Sequence, residues 1–496
     1  MTALAHPRIV VPRPVSTPLT TTVAPVDYDS AIVARLRDSH GEPCFPQTLS
    51  WLLRRQRPDG TWGADRLHAH DRLVSTLAAI RCLHEAQVAP AAVDRALQTI
   101  PRLIAHLGED NNETVGFEVI APHLLDWCHA AGLPLPTLHL LNGRKQADAA
   151  ELAAPSMLLL AERQRRTARI AHGITGTIVF SLEGLDMVPP EASRLIAPRG
   201  SLLASPSATA AYLDRYPATP QSWAYLAWLA QQNDGGIPAV HPLDSFVSSW
   251  SCLYLDLSGQ GRSRLAWRLR ARAIRSWTEH GASYSDEFPI PNADDTAVNF
   301  LIQRNAGLTP DPQVFEPFLT PNGARCYAHE HDTSASANVH VLLALRAAPA
   351  TPQRDAWIAS MLRYLTQVVR QRADGLLTDK WHLSPIYTTS HAMLATYGLD
   401  EQLWTQLRDA LLQAQEPDGA WGAEGGSAEE VAYGLHALCL TDPVRSAAAI
   451  RAGAGALRRL RHQPPPSLWI GKSLYLPYQV VARAITAAEI LVAAGA

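Results

Sequence analysis

The chain has 496 residues, 47% of them hydrophobic and 18% charged, the profile of a globular protein long enough for two or three domains. Its 43 Lys and Arg against 46 Asp and Glu leave a net charge of −3, without the basic footprint by which nucleic-acid binders neutralise phosphates. Nucleic acid is therefore not an expected partner, and any polyanionic ligand would need a local basic pocket.

In chain order, residues 1–25 carry several prolines and threonines and lack the compact apolar core of a signal peptide; they read as a mobile N-terminal tail. No uninterrupted apolar run approaches the ~18 residues of a membrane-crossing helix, so stable membrane insertion is not expected. The cysteines, Cys44, Cys82, Cys128, Cys252, Cys326 and Cys439, lie far apart and form no Cys-x-x-Cys pair. That argues against a zinc or disulfide framework and for a reducing, cytoplasmic compartment.

Gln56-Arg57-Pro58-Asp59-Gly60-Thr61-Trp62 reads as a loop, and the form Gln-x-x-Asp-Gly-x-Trp returns at Gln415 to Trp421. Gln231 to Ile237 and Gln371 to Leu377 keep Gln-x-x-Asp-Gly but lose the tryptophan. Recurrence at a spacing such as the 44 residues between the last two copies signals stacked helical hairpins. The expected role is structural: Gln bonds free helix-terminal groups, Asp-Gly turns the chain, and Trp covers the joint. Between the loops the period is helical. Leu403, Trp404, Leu407, Leu411 and Leu412 form one apolar stripe, and Val431, Leu435 and Leu438 form the next. Ser427 with Glu430 has the form of a capping box opening that second helix. Convincing strands are scarce, so the expected fold is all-α.

Pro291-Asn292-Ala293-Asp294-Asp295-Thr296-Ala297-Val298 is the segment that carries chemistry. Acidic residues beside Thr at a helix start are usually caps. Successive helical residues point about 100° apart, however, so Asp294 and Asp295 cannot both face one cavity. Asn292 lies three positions before Asp295, on the same side of the turn. One aspartate is then free to project into a pocket while polar neighbours hold the other. A carboxyl group facing an apolar pocket beside a second carboxylate tends to stay protonated, and a helix N-terminus favours the anion left behind. Such a group suits protonation of a very weak base such as an alkene. The carbocation formed would need a dry cavity and aromatic faces.

The loops and the Asp-Asp-Thr-Ala segment resemble class II terpene cyclases, the proton-initiated group, and in particular bacterial class II diterpene cyclases. The resemblance runs along nearly the whole chain, through Asp27-Tyr28-Asp29-Ser30-Ala31, Val115-Gly116-Phe117-Glu118 and Ser205-Pro206-Ser207-Ala208-Thr209-Ala210. It continues through Asn338-Val339-His340-Val341, Asp379-Lys380-Trp381-His382 and Leu468-Trp469-Ile470-Gly471-Lys472-Ser473-Leu474-Tyr475. It implies that Asp294 is the middle aspartate of Asp-x-Asp-Asp and the general acid, that Asp295 supports it, and that Asn292 stands where the family usually has aspartate. His340 and Asn338 would lie beside the acid. By residue type alone His340 is an ordinary core histidine.

By the same resemblance Glu109, Asp110 and Glu113 form the acidic Mg²⁺ motif, whose hard oxygens suit that ion, although composition alone gives a solvated loop. Lys380 and Lys472 become candidates for the substrate diphosphate, and Trp381 and Tyr387 for the cavity wall. The implied architecture is two α barrels with the active cavity at their interface. A β-type barrel would comprise residues 26–44 plus 249–496, and a γ-type barrel, residues 45–248, would be inserted into it. The implied reaction takes geranylgeranyl diphosphate to a bicyclic labdane, halimane or clerodane-type diphosphate. The sequence has no Asp-Asp-x-x-Asp cluster, so a separate class I synthase or a phosphatase would act next. The alternatives are a drimane-forming cyclase of farnesyl diphosphate, a triterpene cyclase, a glycosidase with two spaced carboxylates, and a non-catalytic helical-repeat scaffold.

Overall fold

The computed structural model describes residues 22–110, 112–135, 177–185, 188–330 and 332–495. The tail expected at residues 1–25 lies outside them up to residue 21. Two compact units divide the chain: Met1–Pro242 with Ile470–Tyr475, and Leu243–Trp469 with Leu476–Ala496.

The first unit is built on α1 (Asp27–Ala34), which is buried on every side and packs on α2 (Pro46–Arg54) and α3 (Ala69–Glu85). The remaining described helices of the unit are α4 (Pro90–Leu97), α5 (Ile100–Ala105), α6 (Phe117–Ala130), α7 (Pro206–Arg215) and α8 (Pro220–Gln232). α1 also packs on α7, and α3 packs on α6, α4 and α5. A short antiparallel pair joins Pro25–Val26 to Ile237–Pro238. In the structure α1 packs within the first unit, with every one of its residues buried.

The second unit is a closed ring. Its inner helices are α9 (Asp244–Leu257), α11 (Ala293–Asn305), α12 (Ala335–Arg346), α14 (Pro385–Thr396), α16 (Ala428–Thr441) and α18 (Tyr478–Gly495). Each packs on the next, and α18 returns to α9. The outer helices α10 (Arg264–Arg275), α13 (Pro352–Gln371), α15 (Glu401–Gln413) and α17 (Ala447–Leu460) cover the seams. The inner helices α9 and α16 bury residues around most of their circumference, whereas the outer helices α15 and α17, and the inner α18, bury one stripe. By length and composition α18 could cross a membrane, but here it packs on α9, α16 and α17 to complete the ring.

The repeated loops have one geometry. Gln56 donates its amide to Gly60 O and Ala92 O, and Trp62 Nε1 donates to Leu52 O. Gln415 donates likewise to Gly419 O and Ala449 O, and Trp421 Nε1 donates to Leu411 O. Both indoles are fully buried. Gly419 sits at φ +89°, and a Cβ there would lie 2.4 Å from Ala452 O, which explains the glycine. Ser427 caps α16 by accepting from Glu430 N and donates its hydroxyl to the Glu430 carboxylate. All six cysteines are free.

Candidate active site

Asp294 and Asp295 occupy the first turn of α11, with Asn292 as its N-cap. Asn292 Oδ1 accepts from Asp295 N at 2.8 Å and its Nδ2 donates to Asp295 Oδ2 at 2.6 Å. The amide is therefore spent on Asp295, and the two aspartates diverge as helical geometry demands. Burial is the main cause that lifts the Asp295 carboxyl to about 7; the Asn292 amide opposes the rise and Asp294 adds to it.

Asp294 turns to α12, where His340 Nδ1 lies 2.6 Å from its Oδ1. His340 Nε2 lies 2.9 Å from Nδ1 of His391 on α14. Asp294 Oδ2 and His391 Nε2, the two ends of this chain, are buried and have no hydrogen-bond partner. Burial first, then His340, His436 and His382, hold His391 well below the usual imidazole range, so it is neutral.

Aromatic rings enclose this chain. Trp250 stands edge-on to His340 at 4.8 Å and stacks on His391 at 6.0 Å. Tyr387 is 4.5 Å from His391 and 5.2 Å from Trp469. Beyond Tyr387, Glu429 on α16 is fully buried. Its Oε1 accepts from Tyr433 and Trp469 at 2.9 Å each and lies 3.3 Å from His382 Nε2. This one oxygen fixes three rings of the aromatic cluster. Burial and then Asp294 raise the thiol pKa of nearby Cys326 well above its usual value. The arrangement thus offers a dry carboxyl with one oxygen anchored and the other unpartnered, among π faces able to stabilise positive charge.

The structure assigns other tasks to several expected site residues. The Asn338 amide bonds Ala324 N, Ala324 O and Ser334 O, where it pins the turn at residues 319–324. Lys472, in the first unit, is fully buried, and its ammonium meets Phe180 O, Glu183, Ser205 and Ser207. Three N–H groups facing four acceptors leave none for a phosphate. Lys380 is half-exposed, 2.7 Å from Glu330, with its charge 5.3 Å from the Trp381 ring. Burial weighs against that charge, but Glu330 outweighs it and the pKa is raised. Trp381 is half-buried against Tyr327, and Tyr387 lies inside the aromatic cluster.

Glu109, Asp110 and Glu113 are not gathered into a Mg²⁺ site. Glu109 is exposed and pairs with His106, and Glu113 is exposed. Asp110 Oδ2 accepts from His70 N and lies 2.7 Å from His70 Nδ1. His68 and His70 gather around Asp110, but two imidazoles are poor donors for a hard cation. His68 Nδ1 accepts from Asp71 N, so Nε2 holds the proton and faces Asn112 O, which closes that atom to a metal. The donors present do not fit Mg²⁺.

His391, Trp250, Glu429 and Tyr433 carry no motif that would single them out in the sequence. The one available signal is spacing: His391 lies four residues after Tyr387, on the same helix face.

No family model matches the chain. It is 32% identical over 491 residues to the type B diterpene cyclase of Mycobacterium tuberculosis, covering 94% of this chain and 95% of that one. It is 30% identical over 484 residues to the copalyl diphosphate synthase of Streptomyces cyslabdanicus, covering 89% and 88%. Among solved structures, the ent-copalyl diphosphate synthase from Streptomyces platensis matches with a TM-score of 0.75 at 26% identity, covering 95% of this chain and 96% of that one. With the acid turn, the aromatic ring and relatives of this extent together, the chain belongs to the class II diterpene cyclases.

Proposed function

We propose that the enzyme takes geranylgeranyl diphosphate to a bicyclic diphosphate of labdane, halimane or clerodane type, keeping the diphosphate, with Asp294 as the general acid. The observation that carries this reading is the Asp294 carboxyl itself: one oxygen is held by His340 and the other is buried without a partner. A proton on Oδ2 is not engaged by the protein, so a terminal alkene placed there can take it. The His340 N–H and the N-terminus of α11 stabilise the carboxylate that remains. Two further alkenes then add in turn to the developing cation and close two rings. The chemistry consumes π bonds and leaves the C–O bond to phosphate untouched, which is why diphosphate retention accompanies proton initiation. Lys380 is the remaining lysine candidate for the diphosphate.

The test is incubation with geranylgeranyl and farnesyl diphosphates side by side, with product identification after phosphatase treatment. The expected result is a bicyclic C20 alcohol from the wild type and none from Asp294→Asn. That variant keeps the acceptor for His340, so it should remain folded. A fully active Asp294→Asn would refute the assignment of the acid, and a preference for farnesyl diphosphate would refute the chain length.

A further inference from the structure

Resting on that reading of Asp294, we propose that His391 is the base that ends the cyclisation and that His340 returns the proton to Asp294. The geometry is a chain of two short hydrogen bonds with an unpartnered atom at each end. Asp294 Oδ2 at one end and His391 Nε2 at the other are buried without a hydrogen-bond partner. The links between them measure 2.6 and 2.9 Å, and all three side chains are buried. The relay requires one starting proton pattern: a proton on Asp294 Oδ2, His340 Nδ1–H donating to Oδ1, and His391 Nδ1–H donating to His340 Nε2. The lone pair of His391 Nε2 is then available.

The balance closes. Asp294 Oδ2 gives its proton to the alkene and becomes a carboxylate. After ring closure, a C–H bond beside the final cationic carbon yields its electron pair to a new C=C bond, and its proton passes to His391 Nε2. His391 Nδ1–H moves to His340 Nε2, and His340 Nδ1–H moves to Asp294 Oδ1. One proton has entered the substrate and one has left, so the product is an isomer of the substrate and Asp294 is again an acid. Rotation of the carboxyl group re-presents its proton. Exchange with water on product release restores the two imidazole tautomers.

Two physical arguments favour this route. Without the two transfers, a carboxylate and an imidazolium would remain apart in a water-poor interior, where charges are costly; the transfers cancel both. A C–H bond adjacent to a carbocation is acidic enough that a weak, neutral imidazole suffices as base. The rings that face His391, Trp250, Tyr254, Tyr387 and Tyr433, also supply π faces where the cation would reside when the proton departs. Asn292 does not suit the reprotonating role, since a neutral amide does not relay a proton as an imidazole does and its bonds go to Asp295.

The experiment compares the first turnover, by rapid quench, with the steady state in the full-length enzyme supplied with geranylgeranyl diphosphate. His391→Gln should form about one equivalent of cyclised product per enzyme, partly as a water-trapped alcohol or an isomeric alkene. Its steady rate should then fall about a hundredfold, within the usual range for losing a positioned acid–base group. His340→Asn, which cannot pass a proton along, should also show a first-turnover burst and a slow steady state. Steady production of the wild-type alkene by both variants would overturn the proposal. So would loss of the burst in variants that keep the wild-type circular dichroism. A wild type that leaves the substrate uncyclised would instead strike the reading of Asp294 on which the relay rests.

Discussion

Replacing Asp295 with Asn tests the electrostatics of the acid turn directly. The Asp295 carboxyl is buried and titrates at about 7, against a usual 3.8. Its folded value lies above its unfolded value, so between pH 4 and 7 the native state holds a proton that the unfolded chain has released. The stability this group contributes is complete below about pH 4 and is lost as pH rises through 7. At ~1.4 kcal/mol per pH unit, the interval from 3.8 to about 7 amounts to ~4 kcal/mol. Asn cannot ionise, accepts from Asn292 Nδ2 as the carboxylate does, and leaves the backbone cap intact. Urea unfolding of wild type and variant at half-unit steps from pH 4 to 8 gives the difference between them. Asp29 at about 7 and Asp71 at about 6 slope the same way in both proteins and drop out of that difference. The variant should gain on the wild type by up to ~4 kcal/mol across the window. Parallel curves would show that Asp295 is not desolvated in the folded protein, and the account of the acid turn would fail with it.

Gln415→Ala removes donors from two carbonyls and should cost about 2 kcal/mol of unfolding free energy at ~1 kcal/mol per hydrogen bond; no loss in urea unfolding would contradict the structural role of the loop. Lys472→Met leaves Glu183 buried without its cation and should cost ~3–5 kcal/mol of unfolding free energy. An equally stable Lys472→Met with a raised KM would return this lysine to diphosphate binding. Lys380→Ala breaks a half-exposed pair and should change stability by no more than ~1 kcal/mol while raising KM for the prenyl diphosphate several-fold; an unchanged KM would remove it from the site.

The helical class, the loops and the divergence of the two aspartates were legible in the sequence, because each rests on local physics. Gln-x-x-Asp-Gly-x-Trp is a self-contained turn whose bonds fall on the joint it closes, and an Asn-x-x-Asp spacing fixes a cap and the divergence of two adjacent carboxylates. Only the tertiary structure decided what the distant residues do. The bond from Asp294 to His340 spans 46 positions and that from His340 to His391 spans 51, and both exist because successive inner helices of the ring bring one turn of each to the same depth. Packing within each unit likewise buried Lys472 among oxygens, turned Asn338 to the backbone and gave Asp110 to His70. A lysine, an amide or a carboxylate reads alike in sequence whether it awaits a ligand or a neighbour. Which of the two it meets is settled by what packing places within 3 Å, since a buried polar group left unpaired is too costly for the fold to keep without a reason.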